Sequence, residues 1–113
     1  MFCNFQSLHV SGDGYVVLCK QCGHYQVAFI STMFTLAETE LTELQQQILY
    51  CCEQPEYMFS ADSKSVVINI GASDINMILS KNELLRFRDI LEQAVNEARA
   101  LELISLFNPE TNA

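Results

Sequence analysis

Residues 15–30 contain two runs of strand-forming residues on either side of a Cys-x-x-Cys-Gly turn. β-Branched and aromatic side chains dominate both runs, and such residues favour the pleated surface of a β-sheet. Gly23 follows the second cysteine and can adopt the positive φ that a tight turn commonly needs. The segment therefore predicts a β-hairpin with Cys19 and Cys22 at its tip, which commits this part of the chain to an antiparallel sheet.

The residues around this hairpin predict further elements in the first half of the chain. Loose alternation of apolar residues over 1–10 predicts an N-terminal strand that pairs with the hairpin. A bend at Ser31 and Thr32 precedes a short predicted strand at 33–36. Apolar residues at three- and four-residue steps over 37–51 predict a helix with one narrow apolar stripe.

The second half of the chain predicts the same kinds of element. We expect a short strand at 57–60, then a hairpin formed by strands at 65–70 and 75–79. Ser80 and Glu83 have the spacing of a capping box, which opens a long amphipathic helix that Asn108-Pro109 ends.

The two halves resemble each other, and this likeness predicts an internal ββα repeat over residues 15–52 and 65–107. The alternative is a coincidence of two common α+β units. Either way, the sequence predicts a single α+β domain over 1–113, in which one antiparallel sheet carries both helices packed on one face.

Composition and charge limit the classes of partner. Half of the 113 residues are hydrophobic, which suffices for one buried core. The apolar runs are too short to span a membrane and no signal peptide is visible, so we expect a cytoplasmic protein. The net charge of −8 repels phosphate backbones and anionic headgroups, so the sequence predicts no nucleic acid and no membrane as partner. The plain alternative is that the acidity only keeps the protein soluble.

The five cysteines raise the question of metal binding. An odd number of cysteines without an export signal favours reduced thiols or metal ligands over disulfides. Cys19 and Cys22 have the spacing of half a zinc site. Cys3 is the predicted third ligand, because an N-terminal strand would bring it beside the hairpin, and His24 or His9 is the candidate fourth. The alternative is a metal-free turn whose thiols pack as small hydrophobic groups.

An enzymatic role for the same cysteine pair is a further alternative. A short Cys-x-x-Cys loop is a redox geometry, but redox motifs of this type lie at a helix N-terminus, whose dipole activates the thiol. This pair is instead predicted between two strands, and neither histidine belongs to a pattern typical of a catalytic triad. Of Cys51 and Cys52, at the end of the first helix, at least one is predicted to be buried. The sequence thus favours a non-enzymatic module over a thiol- or metal-dependent enzyme that uses Cys19 and Cys22.

The central strands predict self-association. Residues 16–18 and 66–68 are continuous apolar runs, which are typical of strands buried on both faces. Two helices cover only one face of a sheet, so a monomer would expose a larger apolar patch than soluble monomers usually tolerate. We therefore expect a homodimer or another protein partner. The alternative is that the N-terminal strand and residues 57–60 cover that face within one chain.

The pattern C-x-x-C-x-x-x-Q-x-A-F over residues 19–29, followed by a Thr-x-Leu segment and an acidic helix start, resembles a family of small uncharacterised bacterial proteins. The resemblance covers roughly residues 1–50. Members often carry an early cysteine and a nearby histidine before the cysteine pair; here Cys3 is present and Phe5 stands where the histidine is expected. The family has no assigned activity, so the resemblance implies architecture and not function.

Overall fold

A computed structural model describes residues 4–54 and 61–107. The first half of the chain forms a four-stranded antiparallel meander, with its strands side by side in chain order. The strands are β1 (Phe5–Val10), β2 (Gly14–Cys19), β3 (Tyr25–Phe29) and β4 (Thr32–Leu36). β2 and β3 are the two strands of the predicted cysteine hairpin, and β1 pairs with β2 as expected. These predictions are confirmed.

The second half adds a hairpin between two helices. Its elements are α1 (Glu38–Cys52), β5 (Val66–Asn69), β6 (Asn76–Leu79) and α2 (Lys81–Phe107). The predicted α+β class is confirmed. The predicted strand at 57–60 and the helix end at Asn108-Pro109 lie outside the described residues.

The expectation that all strands join one sheet is wrong for the described residues, because β5 and β6 form a separate two-stranded sheet. A side chain of α1 occupies the outer edge of β5 at Asn69. The Gln47 amide donates to the Asn69 carbonyl at 3.0 Å and accepts from the Asn69 amide at 2.9 Å. It thereby takes the place that a neighbouring strand would occupy.

The core lies between the meander and the two helices. α2 packs against β1 and β2, α1 packs against β4 and β5, and the helices pack against each other. Alternation along the strands directs Val16, Val27 and Phe29 toward the helices, where all three are fully buried. Phe87 of α2 stacks on Phe29 with ring centroids 4.5 Å apart, and Phe34 meets Phe87 edge-on at 6.5 Å.

The N-terminus of α2 has the predicted capping box. The Ser80 amide donates to the Glu83 carboxylate at 2.9 Å, and the Glu83 amide donates to the Ser80 hydroxyl at 3.1 Å. α1 reproduces one half of this arrangement, since the Ala37 amide donates to the Glu40 carboxylate at 2.9 Å. Alanine has no side-chain oxygen to supply the other half.

Burial along the two helices follows the predicted match between the halves. The buried residues at matched positions are Leu36 and Leu79, Leu41 and Leu84, Leu44 and Phe87, Ile48 and Leu91, and Cys51 and Ala94. The β3–β4 hairpin precedes α1 in the same way that the β5–β6 hairpin precedes α2. Leu36 pairs with Tyr25 in the first hairpin, and Leu79 pairs with Val66 in the second. The strand that corresponds to β5 is therefore β3, whereas the predicted repeat begins at residue 15 and so matches β5 with β2. The internal repeat itself stays a prediction.

Candidate functional site

The tip of the cysteine hairpin folds as a tight turn. Cys19 ends β2, and its amide donates to the His24 carbonyl at 2.9 Å. The Gly23 amide donates back to the Cys19 carbonyl at 2.9 Å, and Gly23 has a φ of 75°. This left-handed conformation suits glycine, because a Cβ is disfavoured there. The turn leaves Cys19 buried and Cys22 exposed.

The predicted zinc ligands are distributed unevenly over the hairpin. His24 lies in the tip itself, whereas His9 pairs with Val16, three residues along β2 from Cys19. At roughly 3.3 Å per strand residue, His9 is displaced from the cysteine end by about 10 Å. The tip therefore places His24, and not His9, close to Cys19 and Cys22.

The third predicted ligand, Cys3, lies outside the described residues. The next residue, Asn4, is held at the tip, because its carbonyl accepts from the Lys20 amide at 2.9 Å. Within residues 4–54 and 61–107, no three side chains of the His, Cys, Asp or Glu type are grouped so that they could hold a metal ion.

The second pair of cysteines lies at the end of α1. Cys51 is buried against the core, so the prediction that at least one of the two is buried is confirmed. Burial raises the pKa of the Cys52 thiol, although Arg88 and Lys81 act in the opposite direction. A raised pKa leaves less thiolate at neutral pH, which makes Cys52 a poor nucleophile.

A groove of about 570 Å³ lies between the meander, the start of α1 and the second half of α2. Its apolar lining includes Leu18, Tyr25, Leu41, Val95, Ala98 and Leu101. Burial, followed by the negative charges of Glu38 and Glu102, raises the pKa of Tyr25. Sequence reasoning missed this groove, because its walls come from both halves of the chain. The available signal was the apolar stripe of α2, which continues past the last fully buried residue, Ala94.

The surface of the meander that faces away from the helices carries no charge. None of the residues in β1–β4 is Asp, Glu, Lys or Arg. On this outer face, Tyr15, Val17 and Ala28 are half-buried, while Phe5 and Met33 are about half exposed. We call this surface the outer meander face.

Two further groups of large apolar side chains are exposed. On the second sheet, Val67 and Ile78 form a cross-strand pair, and both are more than half exposed. At the end of α2, the exposed residues are Leu103, Ile104, Leu106 and Phe107.

The comparison with family models covers most of the chain. A family of unknown function matches residues 1–109. The chain belongs to DUF6686. The comparison with curated proteins and the comparison with solved structures found no match for this DUF6686 member. Membership in DUF6686 confirms the resemblance to an uncharacterised family and assigns no activity.

A membrane-spanning helix is not found in the part of this DUF6686 chain that the structure describes. α2 is the longest helix, but charged residues recur along its length.

Proposed function

We propose that the protein is a small cytoplasmic, non-enzymatic module that acts by binding a second copy of itself through the meander, with zinc stabilising the cysteine hairpin. The observation that carries the proposal is the distribution of charge. The chain has a net charge of −8, yet none of its charged residues lies in β1–β4.

Charge decides where two copies can approach each other. Two molecules that each carry −8 repel, and the repulsion is largest where acidic side chains meet. The meander is a surface on which that cost is small, because approach along its strands places no carboxylate against another. Its exposed Met33 also gains by leaving water, at about 25 cal/mol per Å² of apolar surface.

The exposure of apolar strand residues also supports a partner. Val17 is half-buried and Val67 is 56% exposed, although both lie in runs typical of strands covered on two faces. Soluble monomers rarely expose contiguous apolar patches beyond a few hundred Å². In a two-fold homodimer, the same surface of each copy meets its counterpart in one contact.

Self-association is tested by sedimentation at micromolar concentration. We expect a mass twice the 12.8 kDa of one chain. Met33→Glu places a carboxylate on the meander and should raise the dimer dissociation constant about tenfold or more. Leu106→Glu is the matched control, since it adds the same charge to an exposed apolar residue of α2. A monomeric wild-type protein would contradict the proposal. So would a dimer that dissociates in the Leu106→Glu variant but not in the Met33→Glu variant.

Zinc at the hairpin tip is supported by the local geometry. The Cys-x-x-Cys-Gly turn has the left-handed glycine and the compact backbone that let two thiolates approach one ion. Cys3 is the proposed third ligand, next in the chain to Asn4, and His24 is the better-placed candidate for the fourth. The alternative, a thiol-dependent enzyme, has the exposure of Cys22 in its favour. It lacks a helix dipole, because the pair lies between two strands.

The zinc proposal predicts the metal content of protein purified without chelators. We expect about one equivalent of zinc, and Cys22→Ser should lose it together with several degrees of thermal stability, because metal binding stabilises the folded state. Cys52→Ser is the control and should keep the metal, since Cys52 lies at the end of α1. Protein without zinc in which all five thiols titrate freely would refute the proposal.

A further inference from the structure

The strand edges of the described residues differ in how they are protected from pairing. β1 has a bulge between Ser7 and His9 and packs against α2. The Gln47 amide caps β5. β4 has five residues without charge, proline or bulge, and no described strand pairs with its outer side. The outer side of β6 is open in the same way, but β6 is shorter, with four residues. Natural edge strands commonly carry one of these protections, so an edge without them invites a further strand.

The register of the β3–β4 hairpin defines which groups of β4 are available. Phe29 pairs with Thr32 across a two-residue turn, a geometry in which the flanking residues form a hydrogen-bonded pair. Hydrogen-bonded and non-hydrogen-bonded pairs alternate along an antiparallel ladder, so Phe34 also bonds to β3. The backbone N–H and C=O groups of Met33 and Thr35 therefore point away from β3.

These outward groups are self-complementary about Phe34. Consider two β4 strands that pair in antiparallel orientation about a two-fold axis at Phe34. Met33 of each copy then lies opposite Thr35 of the other copy. Each of these pairs exchanges two hydrogen bonds, and Phe34 faces Phe34 of the second copy in a non-hydrogen-bonded pair. Cross-strand aromatic pairs stabilise antiparallel sheets. Phe34 is half-buried against Phe87, so this contact would extend the aromatic cluster of the core.

The surroundings of this edge carry little charge. A groove of about 390 Å³ runs beside β4, with the turn at 70–75 as its opposite wall. The charged residue among its lining is Glu40, whose carboxylate already accepts a hydrogen bond from the Ala37 amide. The edge thus shares the low charge of the meander, which matters for two chains of net charge −8.

We propose that β4 of one copy pairs with β4 of a second copy, so that two four-stranded meanders join into one continuous antiparallel sheet. The inference rests on the proposed self-association and specifies its geometry. Backbone pairing fixes the register, while Phe34 and Met33 supply the apolar contacts on the two faces of the joined sheet.

Amide hydrogen exchange distinguishes this geometry from other dimers. The amides of Met33 and Thr35 should exchange about tenfold more slowly at a concentration where the dimer dominates than at one where the monomer dominates. The amide of Phe34 bonds to β3 within one chain, so its exchange should respond less to concentration. A dimer in which Met33 and Thr35 exchange equally fast at both concentrations would overturn the inference.

A proline substitution tests the same hydrogen bonds. Thr35→Pro removes an outward N–H that β3 does not use, and proline is tolerated on the free side of an edge strand. We expect the dimer dissociation constant to rise at least about tenfold, whereas Thr35→Val, which keeps the N–H, should leave it within about threefold.

The outcomes separate the two proposals. A wild-type dimer that Thr35→Pro leaves intact refutes pairing along β4 and leaves self-association standing. A monomeric wild-type protein refutes self-association itself. If Thr35→Pro prevents folding, judged by loss of the thermal transition, the exchange rates of the wild-type protein decide the question alone.

Discussion

Replacing Phe87 by alanine should lower the free energy of unfolding by about 3–5 kcal/mol. Phe87 is fully buried, stacks on Phe29 at 4.5 Å and meets Phe34 edge-on. Its ring thus joins α2 to β3 and β4 at once. Truncation removes the buried apolar surface and leaves a cavity between the helix and the meander, which rigid strands cannot close.

Urea denaturation measures this loss, and the chain offers a matched control on the same helix. Phe107 is 82% exposed, so Phe107→Ala should change the free energy of unfolding by no more than about 0.5 kcal/mol. A loss below about 1 kcal/mol for Phe87→Ala would mean that α2 does not hold the meander through this residue.

Local sequence rules predicted the elements that depend on neighbouring residues. Ser80 and Glu83 begin α2 where the capping-box pattern placed it, and Gly23 has the positive φ expected of the cysteine turn. Both features need only a few consecutive residues and their hydrogen bonds. This is why the start of α2 and the cysteine hairpin could be predicted closely.

The turn between β3 and β4 shows where such rules fail. The sequence indicated a bend at Ser31 and Thr32, but the structure has a two-residue turn with Ile30 at a φ of 56°. A β-branched residue rarely adopts this conformation, so nothing in the sequence marks it. The Ile30 amide donates to the Asp13 carbonyl at 2.8 Å, a contact between two turns that holds the strained residue in place.

Contacts between distant segments account for the remaining differences. In the second sheet, Gln47 caps the backbone of Asn69, which lies 22 residues away along the chain. Periodicity reports which face of a helix is apolar, but it does not report which polar side chain meets a strand edge. The candidate site shows the same difference between local and long-range features. The cysteine turn is local and was predicted. The uncharged outer meander face could not be predicted in this way, because it requires the register of four strands.

The two glycines of the first turn provide the second large predicted effect. The sequence predicts that Gly12 and Gly14 are both turn residues, but the structure gives them different surroundings. A Cβ at Gly14 would lie 1.9 Å from the Ala28 carbonyl oxygen and 2.8 Å from its carbon, whereas a Cβ at Gly12 would have no neighbour within 4 Å. Gly14 begins β2, where the backbone of β3 approaches too closely for any side chain.

Gly14→Ala should therefore destabilise the protein by about 3 kcal/mol or more, since two backbones of the central hairpin must separate to admit one methyl group. Gly12→Ala is the matched control, and its effect should stay within about 0.5 kcal/mol. Thermal and urea unfolding of both variants measure the difference. Equal stability of the two variants would mean that β2 and β3 do not approach as closely at Gly14 as their register with Phe29 requires. Because β3 lies between β2 and β4, a Gly14→Ala protein that still folds should also bind its second copy more weakly, which connects the packing of the hairpin to the proposed function.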